Sequence, residues 1–244
     1  MEKQQLIFGI RTLIEAIQDG KEIDKVFIQK GLRGELYMEL YDLIKSNTVP
    51  YALVPVEKLN RLTRKNHQGV AAFISAINYH RIDQLIPSLY EQGKTPFILV
   101  LDRITDVRNF GAIARTAECS GVDAILLPAR GGAAINSDAI KTSAGALHKI
   151  PVCRAQYLQD DLKYLKESGL KIIGVSEKAD KTYYNESFKG PIALVLGSEE
   201  DGISDIYLPL LDEFVRIPMA GTIKSLNVSV AGGILMFEAL KQRS

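Results

Sequence analysis

Small polar side chains with potential for chemistry gather in three short stretches of the 244-residue sequence, and each stretch directly follows an apolar run. In a parallel sheet, ligands bind beyond the carboxyl ends of the strands, so residues in these positions are candidates for a single binding or catalytic site. The stretches carry an amide with an arginine, then two carboxylates, then hydroxyls with an amide: Asn109 and Arg115, Glu199 and Glu200, and Ser225, Asn227 and Ser229.

The apolar runs indicate the elements that would position these side chains. Strands buried on both faces are almost continuously apolar, which is typical of a parallel sheet covered by helices. Asn109 is predicted to cap a helix with an apolar side at Ile113, Ala114 and Ala117. The runs that predict strands are residues 97–102, 124–128, 171–175, 192–197 and 214–217.

The first 78 residues predict a separate, smaller α/β unit. Ile10, Leu13, Ile14 and Ile17 have helical spacing, and residues 25–29 then read as a strand. A second helical pattern and strands at 51–54 and 69–77 follow. Residues 79–95 lack strong periodicity and include a proline and a glycine, so they are predicted to be a linker. The expected organisation is therefore a small domain over 1–78, a linker over 79–95 and a larger domain over 96–244.

Charge restricts how the chain could bind nucleic acid. The formal net charge is +1 and the pI about 7.7, so such binding must depend on a local basic patch. Residues 58–82 contain no acid and include four clustered cations: Lys58, Arg61, Arg64 and Lys65. Charge alone leaves two interpretations of this patch open, a nucleic-acid contact or a solvated loop and helix end.

Several other classes of function lack their signatures. Neither a GxGxxG motif after a strand nor a GxxxxGK[ST] motif occurs, which disfavours a Rossmann dehydrogenase and a P-loop NTPase. Cys119 and Cys153 form no CxxC pair and three scattered histidines give no ligand spacing, so no metal is expected. Without an apolar run of membrane length or a signal-peptide pattern at the N-terminus, the expected location is the cytoplasm, with no membrane partner.

The stretches NFGAIARTAE, LVLGSEEDGIS and RIPMAGTIKSLNVSVAGGI resemble, in order and spacing, the three signature motifs of the SpoU (TrmH-like) branch of the SPOUT methyltransferases. The resemblance covers residues 95–244. The first domain is similar to the small, ribosomal-protein-like substrate-binding domain of the ribosomal-RNA members, with FGIRTLIEAI near its start and HQGVAAFI near its end.

The resemblance implies a trefoil-knotted α/β domain that binds S-adenosylmethionine (AdoMet) and methylates a ribose 2′-hydroxyl of RNA. Backbone groups at Gly197, Ile217 and Leu226 would hold the cofactor, and a glycine at 197 suits a close approach of backbone to ligand. Arg115 matches the essential arginine, Asn109 and Glu199 match its polar partners, and Ser225 and Asn227 match residues that face the catalytic centre. Helix capping by Ser225 or Asn227 is compatible with that role.

The resemblance also implies partners and a role for the arginine. A guanidinium almost never loses its proton, so Arg115 is expected to position phosphate and ribose and not to act as the base. The expected substrate is a guanosine of 23S ribosomal RNA, with Lys58, Arg61, Arg64 and Lys65 contacting flanking phosphates. A transfer-RNA ribose is the alternative substrate, and a non-enzymatic RNA-binding protein is the alternative class. A homodimer is expected through the C-terminal domain, at four apolar residues: Val228, Val230, Ile234 and Phe237.

Overall fold

The computed structural model describes residues 5–244, which divide into two compact units with one sheet each. One unit comprises the described residues up to Asn78 together with residues 135–137, and the other comprises 79–134 and 138–244. Within the described part of the chain, no helix combines the length and apolar character needed to cross a membrane.

The first unit is a four-stranded sheet in the order β1-β4-β2-β3, in which β2 and β3 are parallel and the other pairs are antiparallel. Helices α1 and α2 cover one face, where Leu13, Val26 and Leu40 are fully buried. Helix α3 packs on the other face through Leu59. The elements are β1 Leu6–Phe8, α1 Ile10–Gln18, β2 Ile23–Gln29, α2 Glu35–Ser46, β3 Tyr51–Val54, α3 Val56–Leu62 and β4 Val70–Ile74.

The second unit is built on a seven-stranded sheet in the order β11-β9-β10-β6-β7-β8-β5, with every strand pair parallel. This confirms the predicted parallel sheet, and all five predicted strands are present. The elements are β5 Tyr79–His80, α4 Ile82–Glu91, β6 Phe97–Leu101, α5 Val107–Cys119, β7 Ala124–Pro128, α6 Ser137–Thr142, β8 Val152–Ala155, α7 Leu158–Glu167, β9 Lys171–Val175, β10 Ile192–Leu196, β11 Glu213–Val215 and α8 Val228–Arg243.

The segment predicted as a linker, 79–95, is folded, so that prediction is wrong. It contributes strand β5 and helix α4, and Ile82, Ile86 and Leu89 of this helix lie in the core of the second unit. Pro87 within α4 cannot donate a backbone hydrogen bond to the carbonyl of Asp83. The Tyr164 hydroxyl donates to that carbonyl instead, over 3.2 Å. The helix therefore tolerates the proline that obscured it in the sequence.

Helix α8 is held at its C-terminal end by the Arg243 guanidinium. Its Nε donates to the carbonyl of Phe188 (2.7 Å), its Nη1 to that of Thr95 (2.9 Å) and its Nη2 to that of Gly190 (2.6 Å). The same guanidinium lies 4.9 Å from the centre of the Phe97 ring. The last turn of α8 is thereby fixed to two loops of the second unit.

One residue of the predicted dimer face is in the core. Val228 is 8% exposed and packs inside the second unit, so it is not available to a partner, and that part of the prediction is wrong. Val230 and Phe237 are about half exposed, at 50% and 49%. Ile234, which lies between them in the sequence, is partly buried. Residues spaced in this way lie on one side of a helix.

Candidate functional site

A cavity of about 990 Å³ opens beyond the carboxyl ends of β9 and β10 in the second unit. Its wall includes the end of β9 at Val175, the turn after β10 and the segment before α8. Six residues predicted from the family motifs to be catalytic or cofactor-binding line it: Gly197, Glu199, Ile217, Ser225, Leu226 and Asn227. The structure thus brings two of the three polar stretches to one cavity at the expected edge of the sheet.

A carboxylate at the cavity joins all three stretches. Glu199 Oε1 accepts hydrogen bonds from Asn109 Nδ2 (3.0 Å) and Asn227 Nδ2 (2.7 Å). Asn227 Nδ2 also donates to Asn109 Oδ1 over 3.0 Å, although the two residues are 118 positions apart. We call these three residues the Glu199 cluster. Their mutual hydrogen bonds fix the carboxylate and both amides relative to one another.

Helix starts position two members of the Glu199 cluster. Asn227 is the N-cap of α8, since its Oδ1 accepts from the backbone N–H of Ser229 over 3.0 Å. The predicted capping role of Asn109 is wrong. Asp106 caps α5 instead, accepting from the backbone N–H groups of Arg108 and Asn109 (2.9 and 2.8 Å). The Asn109 side chain is therefore free to reach Glu199 from the first turn of α5.

The glycine at position 197 was predicted to suit the close approach of a ligand to its backbone. In the structure, another part of the protein's own backbone makes the close approach. The turn after β10 folds back on itself through backbone hydrogen bonds in both directions between Ser198 and Gly202, each 3.0 Å long. A Cβ at position 197 would lie 2.1 Å from the carbonyl carbon of Gly202 and 2.2 Å from the nitrogen of Ile203. The glycine is therefore explained by the chain's own turn, without any ligand.

Asp102 and Arg103, at the end of β6, hold the turn that carries Glu199. Asp102 is buried, and its Oδ2 accepts from both the backbone N–H and the hydroxyl of Ser204, each over 2.7 Å. Arg103 adopts a left-handed φ of 56° and donates to Asp201 Oδ2 and to the carbonyl of Gly202, each over 3.0 Å. The sequence interpretation missed both, although a charged pair directly after a buried strand was a visible signal.

Acidic groups outnumber basic ones along the cavity wall. The wall has five carboxylates, at Glu177, Glu199, Glu200, Asp201 and Asp205, and three cations, at Arg103, Lys178 and Lys224. Such an excess favours a ligand that carries positive charge. Within residues 5–244, no group of three or more histidines, cysteines or acids has the arrangement of a metal site.

The structure does not join Arg115 to the Glu199 cluster. Arg115 lies on α5 with an exposed side chain, and it forms no hydrogen bond or ion pair with another described residue. Six helical positions separate it from Asn109, which turns it about 120° around the helix axis from that residue. Ser225 is also exposed and its side chain is unbonded among the described residues. The four predicted RNA contacts, Lys58, Arg61, Arg64 and Lys65, are exposed in the first unit.

Comparison with known proteins bears on the whole chain. The sequence profile of the SpoU rRNA methylase family matches residues 96–237, and that of the RNA 2′-O ribose methyltransferase substrate-binding domain matches residues 6–80. The chain belongs to the SpoU family of RNA methylases. This confirms the family and the class of enzyme that the three motifs predicted.

Individual relatives in the SpoU family are similar over nearly the full length. A Staphylococcus saprophyticus protein assigned to the TrmH family of tRNA/rRNA methyltransferases is 36% identical over 240 residues, or 98% of this chain and 96% of that protein. RlmB of Photorhabdus laumondii, a 23S rRNA (guanosine-2′-O-)-methyltransferase, is 34% identical over 242 residues, or 98% and 99%. The solved AdoMet-bound rRNA methyltransferase from Sinorhizobium meliloti shares the fold, with a TM-score of 0.61, 23% identity and coverage of 97% and 86%.

Proposed function

We propose that this SpoU-family enzyme transfers a methyl group from AdoMet to the ribose 2′-hydroxyl of a guanosine in 23S ribosomal RNA. The observation that carries the proposal is the Glu199 cluster, which joins residues of all three family motifs beside a cavity. The similarity to RlmB over nearly the whole chain supports ribosomal RNA as the substrate class.

The cavity has the chemistry that AdoMet requires. Ile217 and the half-exposed Leu226 offer apolar surface for an adenine, and Gly197 lies on the same cavity wall. The excess of carboxylates suits the cationic sulfonium and ammonium groups. When bound there, AdoMet supplies an electrophilic methyl group. That a methyltransferase of this fold is known with AdoMet bound supports the assignment.

Each polar residue has a role in positioning the reactants. Arg115 keeps its proton and binds phosphate and ribose through its planar guanidinium, and its positive charge favours loss of the 2′-hydroxyl proton. Asn109 and Asn227 hold the Glu199 carboxylate in one orientation at the cavity. Ser225, exposed at the cavity wall, donates to or accepts from the nucleotide. Holding hydroxyl and methyl group in line contributes on the order of 7–11 kcal/mol to such a transfer.

The first unit is proposed to bind RNA and the second to dimerise. Lys58, Arg61, Arg64 and Lys65 contact phosphates that flank the methylated nucleotide. A homodimer forms along α8, where Val230, Ile234 and Phe237 share one side of the helix and expose apolar surface. The trefoil knot and the cytoplasmic location stay predictions.

Transfer RNA is the alternative substrate, because the Staphylococcus saprophyticus relative is described as a tRNA/rRNA methyltransferase. Mapping of 2′-O-methylation in RNA from cells with and without the gene distinguishes the two. Loss of a mark from 23S rRNA is expected, whereas loss from transfer RNA alone would reject the substrate proposed here.

The enzymatic step has its own test. Purified protein with radiolabelled AdoMet in EDTA should methylate ribosomal RNA, and Arg115→Ala should abolish transfer while calorimetric AdoMet binding stays close to that of the wild type. RNA binding without transfer by the wild type would favour a non-enzymatic RNA-binding protein. Loss of AdoMet binding in EDTA would show that a metal is needed.

A further inference from the structure

One face of the sheet in the first unit combines phenylalanine rings with lysines. Side chains two positions apart on a strand share a face. Ala71 of the central strand β4 pairs with Phe8 of β1 on one side and with Phe27 of β2 on the other. Phe73 of β4 pairs with Lys25 of β2. We call this surface the aromatic face and define it by six residues: Phe8, Lys25, Phe27, Lys58, Lys65 and Phe73.

The aromatic face is only partly covered. Helices α1 and α2 pack on the opposite side of the sheet, and α3 covers this side where Leu59 meets the nearly buried Phe27. Phe8 and Phe73 remain half-buried. The Phe73 ring meets that of Phe27 edge-on, with 6.1 Å between ring centres and an interplanar angle of 88°. The rings of Phe8 on β1 and Phe73 on the neighbouring strand β4 therefore keep part of their surface accessible.

Lysines surround these rings without acidic partners. Lys58 Nζ and Lys25 Nζ lie 5.1 and 5.8 Å from the centre of the Phe27 ring, and Lys65 Nζ lies 5.9 Å from that of Phe8. All three lysines are exposed, and none forms an ion pair with a described carboxylate. Their charge is available to a polyanion that also presents flat, apolar rings.

We propose that the aromatic face binds an unpaired segment of the RNA substrate, with bases stacked on Phe73 and Phe8 and phosphates held by Lys25, Lys58 and Lys65. This inference rests on the proposed function, because it takes RNA to be the substrate. A duplex presents mainly its backbone and 2′-hydroxyls, whereas unpaired bases can stack on aromatic side chains. The rings therefore select single-stranded RNA, and the lysines alone would not.

The absence of tryptophan from the sequence allows a direct test of stacking. In the full-length chain, Phe73→Trp introduces the sole tryptophan, and a single-stranded ribo-oligonucleotide should quench its fluorescence to saturation. Tyr51→Trp is the matched control, since Tyr51 pairs with Val26 and so lies on the opposite face of the same sheet. Equal quenching of both variants, or of neither, would overturn the proposal.

Binding measurements test the energetics. Phe73→Leu, which keeps an apolar side chain but removes the ring, should weaken binding of the single-stranded oligonucleotide about 5- to 150-fold, and should affect a duplex of the same sequence much less. Lys25→Gln should reduce the slope of log affinity against log salt by about 0.7. Lys45→Gln is the control, because Lys45 lies over the Tyr41 and Tyr51 rings, away from the aromatic face.

The outcomes separate this inference from the proposed function. If the wild type methylates ribosomal RNA while Phe73→Leu and Lys25→Gln bind RNA like the wild type, the aromatic face is not the RNA surface and the enzyme assignment stands. If the wild type transfers no methyl group but both variants lose RNA affinity, the surface stands and the enzyme assignment fails. Because Lys25 is exposed, its variant remains informative even if Phe73→Leu does not fold.

Discussion

The substitution Gly197→Ala places a methyl group where the backbone of the following turn already lies. The added Cβ would be 2.1 Å from the carbonyl carbon of Gly202, 2.2 Å from the nitrogen of Ile203 and 2.4 Å from the Gly202 oxygen, whereas ordinary contacts begin at 3.4 Å. The backbone must therefore move by more than about 1 Å. Overpacking of this kind costs about 1–3 kcal/mol, and occasionally more.

The upper end of that range applies because the turn cannot move without losing other contacts. Asp102 and Arg103 bind its far side at Ser204, Asp201 and Gly202. Alanine also restricts the unfolded chain, which offsets the loss by about 0.4–1 kcal/mol. A net destabilisation of about 2 kcal/mol follows, which lowers the folding equilibrium constant roughly 30-fold.

Urea denaturation followed by circular dichroism measures this loss, with Gly190→Ala as the matched control. A Cβ at Gly190 meets no atom within 4 Å, and that residue needs no left-handed φ, so the control should stay within about 0.5 kcal/mol of the wild type. Calorimetric titration should show weaker AdoMet binding for Gly197→Ala only. Equal stability of the two variants would refute the assignment of Gly197 to the turn.

Three further results are expected. Arg103→Gln should lower methyl transfer about 10- to 100-fold by misplacing the turn, and it should lower the unfolding free energy by about 1–3 kcal/mol because the buried Asp102 carboxylate loses the cation 3.4 Å away; an unchanged rate would contradict the positioning role. Burial raises the pKa of Asp161 to about 6. Between about pH 4 and pH 6, native Asp161 therefore keeps a proton that the unfolded chain has released. The free energy of unfolding should fall as the pH rises through this range. Asp161→Asn should therefore be more stable than the wild type at pH 7 in urea titrations. Burial raises the pKa of Cys153 to about 12, so a thiol reagent at pH 7 should modify it only after unfolding, unlike the exposed Cys119.

The central fold was predictable because buried parallel strands have a simple sequence pattern. Residues 97–101 and 192–196 are apolar without interruption, and both become fully buried strands. Strand β8 was missed because it is short and includes a charged residue, Arg154. Helix α4 was missed because Pro87 suggested a break, although Ile82, Leu85, Ile86 and Leu89 have helical spacing.

The candidate site was only partly predictable, since its contacts join distant parts of the chain. No periodicity places Asn109 beside Asn227; their positions after apolar runs predicted only a shared site, and the resemblance of the motifs to a known family assigned both residues to it. The reason for Gly197 was also hidden, because the approach of the Gly202 backbone depends on how the turn closes. Asp102 and Arg103 act through that same turn, and a local sequence pattern does not show which loop a side chain will bind.

The two ends of α8 make the site depend on a residue far from it. The helix has 16 residues and so extends about 24 Å, with Asn227 of the Glu199 cluster at one end and Arg243 at the other. A stop codon at position 243 would leave every residue of the cavity encoded, yet it would remove the guanidinium that ties the helix to the carbonyls of Thr95, Phe188 and Gly190. We therefore expect a nonsense mutation at this codon to behave as a loss-of-function allele.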